Sequence, residues 1–205
     1  LVNMLAGIYF PDSGEITVKG EPATIRSPKD AFALGIGMVH QHFLLIDSFT
    51  GAENMMLGLQ KTRFINDKAA DIKASNEIAD KYGFKIDTGR RVRDMSVGMK
   101  QKLEILKILY RGCRILILDE PTAALSSAEV DALLGMIRTL KAKGVSIVFI
   151  SHRIDEIFAI TDRVTVIRDG QYIDTRDTAS VDTSELVQLM VGRKVSNFYP
   201  KQECE

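Results

Sequence analysis

Continuous and alternating apolar runs along the chain predict its β-strands. Ile115–Leu118 is apolar throughout, which is typical of a strand buried on both faces of a parallel sheet. Val145–Ile150 predicts a second buried strand of this kind, and Gly35–Val39 predicts a shorter one. Glu15–Gly20 alternates polar and apolar residues instead, as a half-buried strand does. Asp169-Gly170, between two further apolar runs, predicts a β-hairpin.

Helical periodicity fills the stretches between these strands. The stretch 43–112 predicts an all-helical insertion, with Ser96 as the N-cap of its last helix. The capping box Ser126-x-x-Glu129 opens a further amphipathic helix that Gly144 ends. The other predicted helices are Leu1–Ala6, Ala52–Leu57, Asp67–Tyr82, Ile154–Ile160 and Thr183–Val191. Strands that alternate with helices in this way indicate an α/β fold.

The composition narrows the classes of protein that the chain can belong to. Of its 205 residues 45% are apolar, which excludes disorder over the whole length. Lys and Arg number 27, as do Asp and Glu, so bulk charge does not favour nucleic-acid binding. No apolar run approaches the roughly 18 residues of a membrane span, and the N-terminus does not resemble a signal peptide. Cys113 and Cys204 predict free thiols rather than a disulfide framework.

Two carboxylates, Asp119 and Glu120, directly follow the predicted strand Ile115–Leu118. Ligands of open α/β sheets bind at the carboxyl ends of the strands. At such a place the first acid can hold Mg²⁺, and the second can polarise an attacking water. Two surface acids at a strand end are the plain alternative.

Residues at three other places in the sequence could also bind a phosphate or a metal-bound water. Ser96 and Gly98 lie at a predicted helix start, where unpaired N–H groups and the helix dipole attract anions. Gln41 follows one predicted strand and can bind a metal-bound water, and His152 follows another and can contact a phosphate. The plain alternatives are an ordinary helix cap, a surface amide and a packing histidine.

The order and spacing of these residues resemble those of the ATP-binding subunits of ATP-binding-cassette transporters. Gln41 and Ser96 are 55 residues apart, Ser96 and Asp119 are 23 apart, and Asp119 and His152 are 33 apart. The resemblance covers the whole chain. The matching segments are Ser96–Gln101 (the signature), Leu118–Thr122 (Walker B with the catalytic glutamate), Gln41 (the Q-loop), His152 (the switch histidine) and Ala124-Leu125 (the D-loop, with Ser126 where the family usually has Asp).

The resemblance implies ATP and Mg²⁺ as ligands and gives each matching residue a role. Asp119 would organise the metal with Gln41, and Glu120 would activate water. His152 would contact the γ-phosphate. The implied catalytic residues are therefore Glu120, His152 and Gln41. The residues implied to contact the ATP of a paired cassette are Ser96, Val97, Gly98 and Gln101.

The resemblance also implies a P-loop NTPase (RecA-like) core, a parallel sheet with an antiparallel β edge and an inserted all-helical subdomain. The core would occupy 1–42 and 113–191, the helical signature subdomain 43–112, and a linker 192–205. The Walker A pattern G-x-x-x-x-G-K-[ST] is absent from the sequence, although its backbone and Lys cradle the phosphates in this family. We therefore expect a chain cut just behind that loop, which by itself binds ATP poorly and hydrolyses it negligibly. A cassette that naturally lacks the loop is the alternative.

Finer similarities favour importers of simple sugars and nucleosides, in which one polypeptide carries two cassettes. Gly35–Phe43 and Val97–Lys107 resemble the nucleoside branch, and Leu189–Arg193 resembles the junction after a first cassette. The implied protein lies on the cytoplasmic face of the membrane, with no nucleic acid as partner. Its implied partners are permease subunits docked near Phe43–Glu53, a second cassette and, indirectly, an extracellular substrate-binding protein. A soluble cassette ATPase of translation or DNA repair and a non-catalytic structural cassette remain as alternatives.

Overall fold

The chain divides into two units, Leu1–Ser151 and the residues from His152 onward. A computed structural model describes residues 1–59 and 67–192. The predicted linker 192–205 lies, apart from Gly192, outside the described residues. The predicted boundaries of the helical subdomain, before residue 43 and after residue 112, stay a prediction.

A parallel three-stranded sheet forms the centre of the first unit. Its order is β3-β4-β5, with β3 at Ile36–Val39, β4 at Ile115–Asp119 and β5 at Ser146–Ile150. All four residues of β3 are buried, and so are the three central residues of β4. This burial confirms the two strands as predicted, because continuous apolar runs need cover on both faces.

Strand β5 is not buried, so this part of its prediction was wrong. The strand forms where expected, but Ser146 and Val148 are exposed, the latter by 39%. The reason is that β5 pairs only with β4 and lies at the edge of this sheet. Its apolar run is therefore covered on one side of the strand and open on the other.

Three helices of the first unit lie between β3 and β4 in the sequence. In space they pack on one another. They are α3 at Gly51–Met56, α4 at Lys68–Tyr82 and α5 at Val97–Tyr110, with a 3₁₀ turn at Val92–Asp94. A side-chain cap starts each helix, since Thr50, Asp67 and Ser96 each accept a backbone N–H. Of these three caps the sequence predicts Ser96. The side chains buried between the helices include Met55, Ala79, Tyr82, Leu103, Ile105 and Leu106.

The remaining elements of the first unit include two that the sequence did not predict. These are strand β2 at Glu21–Ala23 and helix α2 at Pro28–Ala33. The signal for α2 was available, because Ser27 caps it and Pro28 takes its first position, where no N–H is needed. Three elements stand as expected: α1 at Val2–Leu5, β1 at Ile16–Val18, which pairs antiparallel with β2, and α6 at Ser127–Ala142.

The second unit contains an antiparallel hairpin between two helices. Helix α7 spans Ile154–Ile160 and α8 spans Thr183–Val191, both as predicted. Strands β6 at Arg163–Arg168 and β7 at Gln171–Asp177 flank the predicted Asp169-Gly170 turn. Both turn residues have positive φ, 52° and 76°, which the favoured hairpin turns require. The small core of this unit contains Val166, Val181 and Leu186.

Both kinds of predicted sheet, parallel and antiparallel, are therefore present, and the α/β prediction is confirmed. The antiparallel strands form two separate two-stranded sheets. Cys113 is free and buried, and burial raises the pKa of its thiol to about 11. Within the described ranges, no helix combines the length and the hydrophobicity that a membrane crossing requires.

Candidate functional site

The carboxyl ends of β3 and β4 bring three predicted site residues to one edge of the sheet. The strands are parallel, and Val39 pairs with Leu118. Gln41 follows β3 by two residues, Asp119 ends β4, and Glu120 comes next. This is the edge at which ligands bind in open α/β sheets, and the roles of the three residues there stay predictions.

Glu120 lies in a backbone conformation that side chains other than glycine rarely adopt. Its φ is 44°, and its N–H donates to the carbonyl of Ile150, the last residue of β5, at 3.0 Å. A bulky residue held at positive φ costs of order 1 kcal/mol or more and is concentrated at functional sites. The chain leaves the sheet at this strained turn, after Asp119. The side chains of Asp119 and Glu120 are both half-buried.

Gln41 is exposed, and it lies in a bend rather than in a helix or strand. Together with the Asp119 carboxylate it offers two oxygen groups at one sheet edge. Mg²⁺ is held by one or two protein oxygens plus water and substrate phosphates, and an all-protein cage is not required. The donor set therefore fits magnesium held mainly by a nucleotide.

The signature segment begins helix α5, with Ser96 as its N-cap. The Ser96 hydroxyl accepts the N–H of Met99 at 3.3 Å, so the serine satisfies one of the helix's unpaired donors. Ser96 and Val97 are exposed, whereas Gln101 is only 4% exposed. The side-chain nitrogen of Gln101 has no hydrogen-bond partner in the described part of the chain. A small cavity opens beside this segment, lined by Ser96, Gly98, Met99, Gln101, Lys102, Leu125, Glu129, Ala132 and Leu133.

A carboxylate that the sequence had assigned only to a helix cap contacts the signature. Oε1 of Glu129, in α6, accepts the N–H of Gly98 at 3.1 Å. Its Oε2 accepts the N–H and the hydroxyl of Ser126, at 3.1 and 2.9 Å, which is the predicted capping box. One negative charge thus joins the start of the signature helix to the start of α6. A Cβ on Gly98 would lie 2.7 Å from Oε1, so this approach requires glycine.

Hydrogen bonds lower the pKa of Glu129, chiefly the one from the Ser126 backbone, followed by that from its hydroxyl. A carboxyl whose pKa is lower in the folded state stabilises the fold above its unfolded pKa. That stabilisation is lost as the pH falls through the lowered folded value.

We therefore expect Glu129→Gln to destabilise the chain at pH 7, with a difference from the wild type that shrinks towards pH 3. Urea unfolding of both proteins at the two pH values measures it. Glu77→Gln, at an exposed position of α4, is the matched control and should have little effect at either pH. A difference that stays constant from pH 7 to pH 3 would contradict the ionic role of Glu129.

His152 is the first residue of the second unit and follows β5 by two residues. Its side chain is exposed. The approach of His152 to a phosphate at the sheet edge stays a prediction.

Comparisons with known proteins give the family of the chain and its fold. The family described as ABC transporter matches residues 1–123, and the chain belongs to that family. A nucleotide-free ATP-binding cassette from an ABC transporter has the same fold, with a TM-score of 0.76 over 93% of this chain and 78% of that one, at 19% identity. The cbiO1 protein of Clostridium perfringens matches with a TM-score of 0.71 over 95% and 76%, at 24% identity.

Curated relatives are more similar in sequence. The chain is 48% identical to the nucleoside import ATP-binding protein NupA of Lactococcus lactis, over 100% of this chain and 41% of that protein. It is 50% identical to the guanosine import ATP-binding protein NupO of Bacillus subtilis, over 96% and 39%. It is 43% identical to a ribose import ATP-binding protein RbsA 1 of Rubrobacter xylanophilus, over 100% and 41%. The chain thus spans about two fifths of the length of these relatives.

Proposed function

We propose that the chain is part of the ATP-hydrolysing subunit of an ABC importer that takes up a simple sugar or nucleoside. The observation that carries this proposal is the placement of Gln41, Asp119 and Glu120 at one edge of a parallel sheet. Relatives named as nucleoside, guanosine and ribose import ATP-binding proteins support it. They favour an importer over the soluble ATPases of translation or repair that carry similar motifs.

The proposed chemistry is hydrolysis of the bond between the β- and γ-phosphates of ATP. Glu120 accepts a proton from a water molecule as the water's oxygen attacks the γ-phosphorus, and the bond to ADP breaks on the opposite side. Asp119 and Gln41 would hold Mg²⁺, which would neutralise negative charge on the phosphates. His152 contacts the γ-phosphate and orients it.

Ser96, Val97, Gly98 and Gln101 have a different role in this proposal. They contact the ATP bound by a second cassette, which we place in the same full-length polypeptide. The N–H groups of Val97 and Gly98 lie at the start of α5, where the helix dipole favours anions. Glu129 must then release the Gly98 N–H, which it binds at 3.1 Å, before a phosphate can approach that group.

The proposed partners follow from the same function. Permease subunits dock on the segment Phe43–Glu53, where Leu44 and Ile46 are 64% and 41% exposed. An extracellular substrate-binding protein acts through the permease, and the chain lies on the cytoplasmic face of the membrane. No bulk positive charge is present to bind nucleic acid.

The test is to purify the tagged full-length protein, expressed from its own genomic locus, out of detergent-solubilised membranes. We expect a polytopic membrane protein to co-purify and the complex to hydrolyse MgATP. Leu44→Glu, which places a charge in the exposed apolar pair, should reduce recovery of that membrane protein, whereas Glu77→Gln should not. A wild-type protein recovered only from the soluble fraction, and without a membrane partner, would contradict the proposal.

A further inference from the structure

One face of the signature helix α5 binds the segment Leu44–Asp47, which we call the docking segment. The side chains that do so occupy positions i, i+4 and i+7, which share one helix face. They are Lys100, Glu104 and Lys107. The docking segment is about 60 residues earlier in the sequence, so these contacts join parts of the chain that only the fold brings together.

Glu104 and Lys107 hold both polar backbone groups of Leu44. The Leu44 N–H donates to Oε1 of Glu104 at 2.7 Å, and its carbonyl accepts from Nζ of Lys107 at 3.4 Å. The two side chains form an ion pair with each other at 2.7 Å, and they are only 6% and 13% exposed. Leu44 is therefore fixed to α5 by a nearly buried pair of opposite charges.

Further contacts fix the rest of the docking segment. Asp47 forms an ion pair with Lys100 at 2.9 Å, one turn before Glu104 on the same face of α5. Asn54 of helix α3, 1% exposed, accepts the Ile46 N–H at 2.8 Å and donates to the Ile46 carbonyl at 3.1 Å. The segment is thus held through the backbone of Leu44 and Ile46 and through the side chain of Asp47.

Two of the three apolar residues of the docking segment are, in contrast, exposed, whereas Leu45 between them is half-buried. Leu44 is 64% exposed and Ile46 is 41% exposed. A segment whose backbone is fixed to a helix while its apolar side chains are free can pass a displacement to that helix. Helix α5 is a rigid element of 14 residues, and its N-terminus carries Ser96 and Gly98.

Stability alone does not explain a buried ion pair at this place. Two apolar side chains of similar volume usually stabilise a fold as well or better, because burying charges has a large desolvation cost. Apolar side chains would not, however, bind the N–H and carbonyl of Leu44. The pair therefore has a geometric effect that packing alone does not provide.

We propose that Glu104 and Lys107 are positioning residues that couple the docking segment to the signature helix. Permease contact at Leu44 and Ile46 then shifts α5, and with it Ser96 and Gly98, relative to the ATP of the second cassette. The inference rests on the proposed function and adds to it the residues that transmit the signal. Neither residue takes part in the chemistry of ATP.

The test measures how strongly the permease stimulates ATP hydrolysis. MgATP turnover is compared between the isolated full-length ATP-binding protein and its complex with the co-purified permease in nanodiscs. In Glu104→Met/Lys107→Met, which replaces the pair by apolar side chains and preserves packing, we expect stimulation to fall about tenfold, within the usual range of coupling energies. The unstimulated rate and the KM for ATP should stay within about twofold of wild type. Lys107→Arg, which keeps a charged donor, should retain most of the stimulation.

The control is the double variant Glu77→Gln/Lys73→Met, which removes one negative and one positive charge at exposed positions of α4. The permease should stimulate its ATP hydrolysis as it does that of the wild type. Hydrogen exchange at the Leu44 amide gives a second readout, and we expect the double Met variant to exchange faster there. Faster exchange with undiminished stimulation would overturn the inference and leave the proposed function intact. Loss of the unstimulated rate together with the stimulated one would also overturn it. A wild-type protein without ATPase activity would refute the proposed function, and the inference with it.

Discussion

The full-length protein carrying Glu120→Gln is expected to bind MgATP and to lose steady-state turnover by at least about a hundredfold, the usual effect of removing a general base. Glutamine keeps the size and shape of the side chain, but its amide accepts no proton from water. The backbone N–H of residue 120 can still donate to the Ile150 carbonyl, so the turn after β4 is preserved. Phosphate release from the permease complex under saturating MgATP measures the effect.

Two further variants accompany Glu120→Gln. The first also changes the backbone strain of residue 120, whose φ is 44°, and the second changes a carboxylate elsewhere. Glu120→Gly relieves the strain and also removes the carboxylate, so it should be as inactive as Glu120→Gln and at least as stable as wild type. Glu77→Gln removes an exposed carboxylate of α4 and should leave turnover unchanged. Unchanged turnover in Glu120→Gln would refute the proposed role of Glu120.

Gly37→Ala is expected to destabilise the chain by about 1–3 kcal/mol, although it adds only one methyl group. Gly37 lies in the middle of β3, directly against the end of α5. A Cβ there would overlap the side chain of Ile108 and lie 3.0 Å from Sγ of Cys113. Isoleucine is stiff at its β-branch and cannot rotate away, so the helix or the strand has to shift.

Gly135→Ala makes the same chemical change and should have the opposite effect. Gly135 lies inside α6, and a Cβ there would meet no atom within 4 Å. Alanine should therefore stabilise the helix by about 0.5–1 kcal/mol. Urea unfolding of the two variants and the wild type measures both differences. Equal effects of the two substitutions would contradict the close packing of β3 against α5.

Local signals in the sequence predicted most of the elements, because each depends on residues a few positions apart. The capping box at Ser126 and Glu129 and the Asp169-Gly170 turn form as expected. Helix α2 was missed although Ser27-Pro28 is a good start signal, since no apolar periodicity follows it over its six residues. The burial of β5 was overestimated because an apolar run does not reveal how many strands lie beside it.

The candidate site was predictable to the extent that it lies at strand ends and helix starts. Asp119, Glu120 and Gln41 share an edge because parallel strands must align their carboxyl ends. The bond that Glu129 accepts from the N–H of Gly98, across 31 positions, had no signal in the sequence. A hint of the Glu104–Lys107 pair did exist, since two charges three residues apart interrupt an otherwise apolar stretch of α5.

By itself, the sequence determined the order of strands and helices, the caps and turns, and the residue types that meet at the carboxyl ends of β3 and β4. These features follow from periodicity, from backbone conformation and from the chain direction of parallel strands. Only the tertiary structure decided that Glu129 binds the signature, that Glu104 and Lys107 hold Leu44, and that Gly37 has no room for a methyl group. The physical reason is that each of these contacts joins residues 31 to 76 positions apart. Their meeting depends on how helices and strands pack in space, and no local pattern encodes that packing.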